Sequence, residues 1–248
     1  MSQSPEEQIA ELRAEFEAAT RRAERALRAR ERQLAAVAML GQRALTCTDL
    51  QSLLDLATGT VADVLGVEYC KVLELRPGGT DFILRSGAGW RPGLVGHAIV
   101  TAGRDSQAGY TLLSNTPVIV KDLSTETRFR GPALLLDHHV ASGLSCAIAG
   151  PGGRPWGILG AHTREHRHFS RDDINLLVAV ANILAAVGER LEATRVLWER
   201  EADLRRAQAL GRIGSWRIDV RRDRLSWSEE THRIFGVGGR PMTSSTGF

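Results

Sequence analysis

The sequence predicts an α+β chain with a central, mostly antiparallel sheet and flanking helices. Three observations carry this. Apolar residues recur at helical spacing over residues 5–66 and again after 170, whereas short segments between about 68 and 163 have the length and alternation of strands. Two of the breaks between strand-like segments, RPGGTD and PGGR, are glycine-rich turns that close hairpins. The order is helix, helix, strand, strand, small helices, strand, strand, strand, helix, so the strands cluster between helices and the helices pack on one face of the sheet.

Residues 5–46 form one long helical pattern, with Ser4 and Pro5 as cap and first-turn residue. Ile9, Leu12, Phe16, Ala19, Ala23 and Ala26 follow alternating steps of three and four, the seam of a coiled coil, and near Leu27 the register slips so that Leu27 and Leu34 take over. Glu17 with Arg21 and Glu24 with Arg28 are i,i+4 pairs on the other faces. A second helix spans 49–66, capped by Asp49 and stopped by Gly66, with Leu50, Leu53, Leu54, Ala57, Val61, Val64 and Leu65 on one broad face. Strands follow in EYCKVLEL (68–75), FILRSGAGW, PVIVKDL (117–123), GLSCAIAG (143–150) and PWGILGAHT (155–163), with short helices in DSQAGYTLLSN and GPALLLDHHV. The last long helix opens at Ser170 with Asp173 three residues on, a capping box with Asp in the usual Glu position. It is apolar nearly all round from Ile174 to Leu184, then narrows to Leu191, Thr194, Val196, Trp198 and Leu204, a connector stripe.

Composition bounds the function. Apolar residues make up 43% and charged residues 25% of 248, the balance of a globular protein. A net charge of +3 without a clustered basic face does not point to nucleic acid. Cys47, Cys70 and Cys146 are odd in number and lack CxxC spacing, which fits free thiols in a reducing compartment. The acidic, polar N-terminus is no signal peptide, and INLLVAVANILAAVG is too short an apolar run to span a bilayer, so a cytoplasmic chain is expected.

The blocks GVEYCKVLEL, RSGAGW, VGHAIVTAGRDSQAGYTLLSNTPVIVKDL, TRFRGPALLLDHHVASGLSCAIAG and PWGILGAHTREHRHFSRDDINLLVAVANILA together resemble a GAF domain, of the sensory type found in bacterial histidine kinases and diguanylate cyclases. The resemblance implies a small-molecule pocket on one sheet face, covered by the two short helices, and dimerisation through the first and last helices. LGRIGSWRIDV, RLSWS and SEETHRIFGV resemble the start of a PAS domain: a first strand, a second strand and a small helix. The organisation expected is a coiled-coil helix at 1–44, a GAF domain at 45–190, a helical linker at 191–211 and a truncated PAS start at 212–248. The glycine- and serine-rich tail GGRPMTSSTGF cannot supply the missing PAS strands, so 212–248 is expected to hold a hairpin and short helix at most, with Trp216 and Trp227 underpacked.

The candidate ligand-binding residues are Trp90, Arg104, Asp105, Ser106, Gln107, Tyr110 and Cys146. Arg104 to Gln107 put polar groups at a helix start, where backbone N–H groups favour anionic or polar ligands. The competing reading makes Asp105 or Ser106 a plain cap and packs Tyr110 on the sheet. His162, His166 and His168 approach metal-ligand spacing but read as an exposed loop with no cysteine or carboxylate to complete a tetrahedral set, so no metal is expected. His138 and His139 flank a helix end as cap or surface residues. His97 could serve a haem as axial ligand, against the commoner reading of a loop histidine. No Cys-His pair holds a bilin, and the Asn-Lys-x-Phe-x-Asp-Glu signature of cyclic-nucleotide GAF domains is absent. Haem, bilin and cyclic nucleotide are therefore disfavoured, and no cofactor is required. No catalytic residue and no Walker, kinase or cyclase motif is present. The expected function is a non-enzymatic sensory module that works as a parallel homodimer and relays to a missing C-terminal effector. The alternative is a redox enzyme or thiol sensor, like the GAF-fold reductases of free methionine sulfoxide, acting through Cys70 and Cys146.

Overall fold

The computed structural model describes residues 5–114 and 116–236, with side chains from residue 12 onward. The Ser4 cap, the Ile9 side chain and the tail after Gly236 lie outside the described residues. The chain divides into two compact units, Met1–Leu191 and Glu192–Phe248.

In the first unit, α1 (Pro5–Thr46) and α2 (Leu50–Leu65) lead into a six-stranded sheet. Its strands are β1 (Tyr69–Leu75), β2 (Asp81–Ala88), β3 (Ile99–Thr101), β4 (Val118–Val120), β5 (Ser142–Ala149) and β6 (Pro155–Thr163), in the order β3-β2-β1-β6-β5-β4. Every pairing is antiparallel. The two hairpins, β1-β2 and β5-β6, are joined edge to edge by β1 and β6, which are distant in sequence. Gly78 and Gly79 close the first hairpin with φ of 102° and 75°, a backbone that side chains rarely adopt. The structure adds one strand to those expected from the sequence: β3 is three residues at the sheet edge, too short to show an alternation.

Strand parity divides the core. Cys70, Val72, Leu144, Cys146, Leu159 and Ala161 point to one face, where α1, α2 and α5 (Arg171–Gly211) pack. Tyr69, Leu73, Val118, Val120 and Ile158 point to the other, which is covered by α3 (Gln107–Leu113), α4 (Ala133–Leu136) and their loops. Helices therefore lie on both faces, long on one and short on the other, whereas the element order alone placed them on one. The short helices carry too little apolar surface for their side of the sheet to be read from periodicity.

The caps are those the sequence implies. Asp49 accepts from the amides of Gln51 and Ser52 at 3.2 and 3.0 Å, and Gly66 ends α2 in the left-handed region at φ 62°. Ser170 and Asp173 form a reciprocal capping box: Asp173 N–H donates to Ser170 Oγ at 3.2 Å and Ser170 N–H to Asp173 Oδ2 at 3.0 Å. The buried Asp173 does more than cap. Gln33 of α1 donates to its Oδ1 at 2.9 Å. Arg167 lies 3.5 Å from its Oδ2 and donates to the Leu65 carbonyl at the end of α2. One carboxylate so ties α1, α2 and α5. At the far end of the pair, Arg190 of α5 donates to the carbonyls of Leu45, Ala44 and Cys47, the open C-terminus of α1.

The packed stripe of α1 is Gln33, Ala36, Val37, Leu40 and Ala44. Leu12, Phe16, Leu27 and Leu34, on the seam proposed from the sequence, are exposed in the monomer, at 64, 73, 59 and 63%. Helix α5 contains an 18-residue window of mean hydropathy 1.6, long and apolar enough by length and composition to cross a membrane. With its flanking residues included, the apolar run is longer than the fifteen residues of INLLVAVANILAAVG. Leu176, Leu177, Val180, Ala181, Leu184 and Val187 of that helix are buried against the sheet and helices.

In the second unit, β7 (Trp216–Asp219) and β8 (Arg224–Trp227) form a hairpin followed by α6 (Glu229–Phe235). Ser228 caps α6 and Gly236 ends it. Trp216 is 67% exposed, and Trp227 is half-buried against His232 and Phe235.

Replacing Asp173 by Ala removes a cap and leaves Gln33 and Arg167 facing a gap. The first unit is expected to lose about 2–3 kcal/mol in urea denaturation, and Asp173→Asn, which keeps an acceptor, to lose less.

Candidate functional site

The face of the sheet under α3 and α4 is built from two neighbouring cross-strand rows. One row reads Val118, Ser145, Gly160, Lys71 and Gly87 across β4, β5, β6, β1 and β2. The next reads Val120, Gly143, His162 and Tyr69. Side chains in such rows stand 4.5–5.5 Å apart at Cβ, so the glycines decide what fits. A Cβ on Gly143 would collide with Nδ1 of His162. A Cβ on Gly160 would lie 2.8 Å from Nε2 of His162 and 3.3 Å from Cε of Lys71. The glycines thus make room for one imidazole and one lysine stem at the centre of the sheet, and both side chains lean over Gly160.

Aromatic rings wall the site. Trp90 stacks on Tyr69 with centroids 4.8 Å apart, and its Nε1 donates to the Cys70 carbonyl at 2.7 Å. His138 stands edge-on to both rings, at 5.3 and 5.0 Å. Its Nε2 accepts from the Arg91 amide at 3.2 Å, which leaves Nδ1 to donate to the Leu134 carbonyl at 2.8 Å. Arg164 donates to the Tyr69 hydroxyl and covers its ring.

The polar groups at the centre differ from His138. Both ring nitrogens of His162 are buried without a partner among the described residues, and so is Oε1 of Gln107. Burial, with the charge of Lys71 second, holds the His162 imidazole well below its ordinary pKa. Lys71 is 1% exposed, and its ammonium lies 5.9 Å from the centroid of Trp90. Burial lowers its pKa to about 7. Among the described residues no carboxylate pairs with it. From α3, Gln107 Nε2 lies 3.3 Å from Ser145 Oγ, and Thr111 Oγ1 bridges the Gln107 carbonyl at 2.7 Å and Ser145 Oγ at 2.8 Å.

Of the residues expected at the site, Trp90 and Gln107 lie on this face. Tyr110 is half-buried against Phe129 and Arg128. Ser106 is the cap of α3, accepting from Gly109 N–H at 3.0 Å. Arg104 and Asp105 are exposed. Cys146 is on the opposite face, its Sγ 3.8 Å from the Leu177 carbonyl of α5, because β5 alternates and Ser145 takes the inward position. Cys70 shares that helix-side core. Burial raises both thiols, Cys146 to about 12.

Lys71, His162, His138 and Tyr69 were absent from the expected set. His162, expected in an exposed loop, is buried completely because β6 runs through Thr163. His138 was read as a cap or surface residue and is buried in the aromatic cluster. The usable signal was a lone lysine inside EYCKVLEL and a histidine two residues after a glycine in ILGAHT. His166 is exposed and stands 4.0 Å from Asp122. Among the described residues no group of three metal-ligating side chains converges. His97 is exposed on a loop, with Nδ1 3.2 Å from the Val95 carbonyl.

A GAF domain family model matches residues 49–187. The chain belongs to the GAF domain family. Among solved structures, the GAF domain of a phosphoenolpyruvate-protein phosphotransferase from Coxiella burnetii is 18% identical, with 67% of this chain and 98% of that one covered and a TM-score of 0.61. Free methionine-R-sulfoxide reductase from Neisseria meningitidis, solved with its substrate, is 15% identical over 65% of this chain and 91% of that one, at a TM-score of 0.57. The phycoerythrobilin-bound GAF domain of a cyanobacterial phytochrome is 18% identical over 66% and 98%, at 0.55. At these identities the likeness is one of fold. No curated protein matches the chain.

The buried base pair sets a pH dependence. Lys71 and His162 both have lowered pKa values in the fold, so the unfolded chain binds more protons and stability rises with pH. The raised thiols act in the opposite sense only near and above their ordinary pKa. Between pH 7 and 8 the wild type is therefore expected to gain stability, by at most about 1.4 kcal/mol per pH unit from Lys71. Urea midpoints at the two pH values, compared with those of Lys71→Met, which should lack most of this gain, check it. A separate outcome concerns space: Gly143→Ala, forced against His162, should cost about 1–3 kcal/mol.

Proposed function

We propose that this GAF domain is a non-enzymatic sensory module: a small ligand on the face of Lys71, His162 and Gln107 biases the packing of α1 and α5. The observation that carries this reading is that β6 serves both faces. His162 points into the polar face, and its neighbours Leu159 and Ala161 point into the core shared with α5. A ligand that shifts the His162 strand therefore shifts the surface on which the signalling helix rests, and it acts only through a difference in affinity between two helix packings.

The exposed seam of Leu12, Phe16, Leu27 and Leu34 supports a parallel homodimer through α1, and the connector stripe of α5, on which Trp198 and Leu204 are exposed, serves the relay to an effector. A histidine kinase or a cyclic-di-GMP enzyme is the effector class this arrangement serves, in the cytoplasm. The redox alternative draws no support from the thiols. Both face the helices, both are raised by burial, and catalysis needs an accessible thiolate. A thioether-held bilin likewise finds no thiol on the Lys71 face.

Sedimentation velocity tests the reading. The wild type is expected to sediment as a dimer at micromolar concentration. Leu27→Glu with Leu34→Glu should shift it to a monomer with an unchanged far-UV spectrum. A wild type that stays monomeric at high concentration would sink the helix relay.

A further inference from the structure

Three polar side chains on the glycine-lined face are more than nine-tenths buried: His162, both of whose ring nitrogens lack a hydrogen-bond partner among the described residues, Gln107, whose Oε1 lacks one, and Lys71, with which no carboxylate among the described residues pairs. Their chemistry is not symmetric. Lys71 supplies only donors as an ammonium, the form a bound anion favours, and a lone pair besides as a neutral amine. Neutral His162 supplies one N–H and one acceptor. Gln107 presents an acceptor, since its Nε2 is turned to Ser145. Buried polar groups are normally paired, and this trio is set out in space: Lys71 and His162 lean over Gly160 together, and Ser145, under the Gln107 amide, stands in the Gly160 row on the other side.

Resting on the reading of this face as a ligand site, we propose that it takes a small carboxylate carrying a hydroxyl group, with the carboxylate between Lys71 and His162 and the hydroxyl donating to Gln107 Oε1. The charge argument selects an anion: an anion bound beside Lys71 restores its ammonium form, which the Trp90 ring at 5.9 Å compensates only in part and no carboxylate among the described residues pairs with. The same argument selects a hydroxyl over an amino group as the donor. An ammonium would bring a second buried cation, for which the site offers the Gln107 amide oxygen and no carboxylate of its own. Tyr69, Trp90 and His138 add a wall that is largely flat and apolar, which suits a short carbon skeleton.

The test uses the full chain with lactate, lactamide and alanine as probes, read by thermal unfolding and calorimetry at pH 8. Lactate is expected to raise the unfolding midpoint at millimolar concentration, and lactamide and alanine to leave it in place. Lys71→Met, close in length and apolar, should weaken lactate binding roughly 30-fold or more, and Lys121→Met, on the exposed surface, should leave it unchanged. Calorimetry in two buffers of different ionisation heat supplies a readout that needs no variant: lactate binding should draw a proton onto the protein, since the carboxylate favours the charged form of Lys71. Equal stabilisation by lactate and lactamide, unchanged binding by Lys71→Met, or no proton uptake would overturn the carboxylate site. Stabilisation by lactamide or alanine alone would also overturn it while leaving this face a ligand site. No shift with any probe would mean that the trio is met by water only, which overturns it too, and the sedimentation test of the helix relay stands apart from that result.

Discussion

The rest of the first unit depends on the register in which β6 is held between β1 and β5. Antiparallel pairing fixes His162 opposite Tyr69 and Gly143, and Gly160 opposite Lys71 and Ser145. A strand has period two, so a slip of one residue would move every side chain of β6 to the other face. His162 would enter the aliphatic layer beneath α5, and Ala161 and Leu159 would fill the polar face. The cost falls on the helix-side core, which would exchange the methyl groups of Leu159 and Ala161 for an imidazole and a glycine. The glycines at 143 and 160 strengthen the choice, because only the observed register sets a gap beside the imidazole.

The helical layer is held by fewer and more directional bonds. Asp173 accepts from Gln33, Ser170 and Arg167, and Arg190 closes the C-terminus of α1. These contacts sit near opposite ends of the α1–α5 pairing, with aliphatic side chains such as Leu40 and Leu184 in the core between them. Hydrogen bonds to a charged group are about twice as strong as neutral ones and far more demanding in geometry. Aliphatic contacts tolerate sliding. A helix pair pinned by charge at its ends and greased by methyl groups between has few alternative arrangements. That is a suitable element on which a sheet movement of small amplitude could act.

The sequence made the helices legible because each of its signals is local. Asp49, Gly66 and the Ser170–Asp173 box are read from three or four consecutive residues, and each does in space what its spacing implies. The hairpins were legible for the same reason. The site was not, because it is assembled by pairing between β1 and β6, some ninety residues apart in the chain. Nothing near Lys71 announces His162. Of the expected residues, Trp90 and Gln107 lie on this face, one drawn from the family resemblance and the other from a helix start. Cys146, a candidate from the sequence, faces the helices, and parity in SGLSCAIA is undecidable from sequence when both faces are buried: serine, glycine, cysteine and alanine carry too little polarity contrast. The same weakness hid His162, since a histidine beside Thr163, Arg164 and Glu165 looks like the start of a loop.

The placement of Lys71 raises a question of economy in the fold. An isolated domain selected for stability alone would fill that row with a leucine or methionine. Apolar replacements of buried charged groups are often neutral or stabilising. Here the lysine sits at the centre of the sheet, the imidazole beside it has neither nitrogen satisfied, and two glycines that themselves weaken a strand are spent on keeping the space. Each departure is modest, but all of them lie within two rows of one face. Several other buried polar groups in the unit are met: His138 through both nitrogens, Ser86 through Asp55 at 2.6 Å and Thr58 at 3.0 Å, and Asp173 through three partners, whereas Trp156 Nε1, elsewhere on β6, is buried without one among the described residues. The helix caps keep the local rules, and Lys71, His162 and Gln107 depart from them together on one face, a pattern expected where stability has been given up for binding.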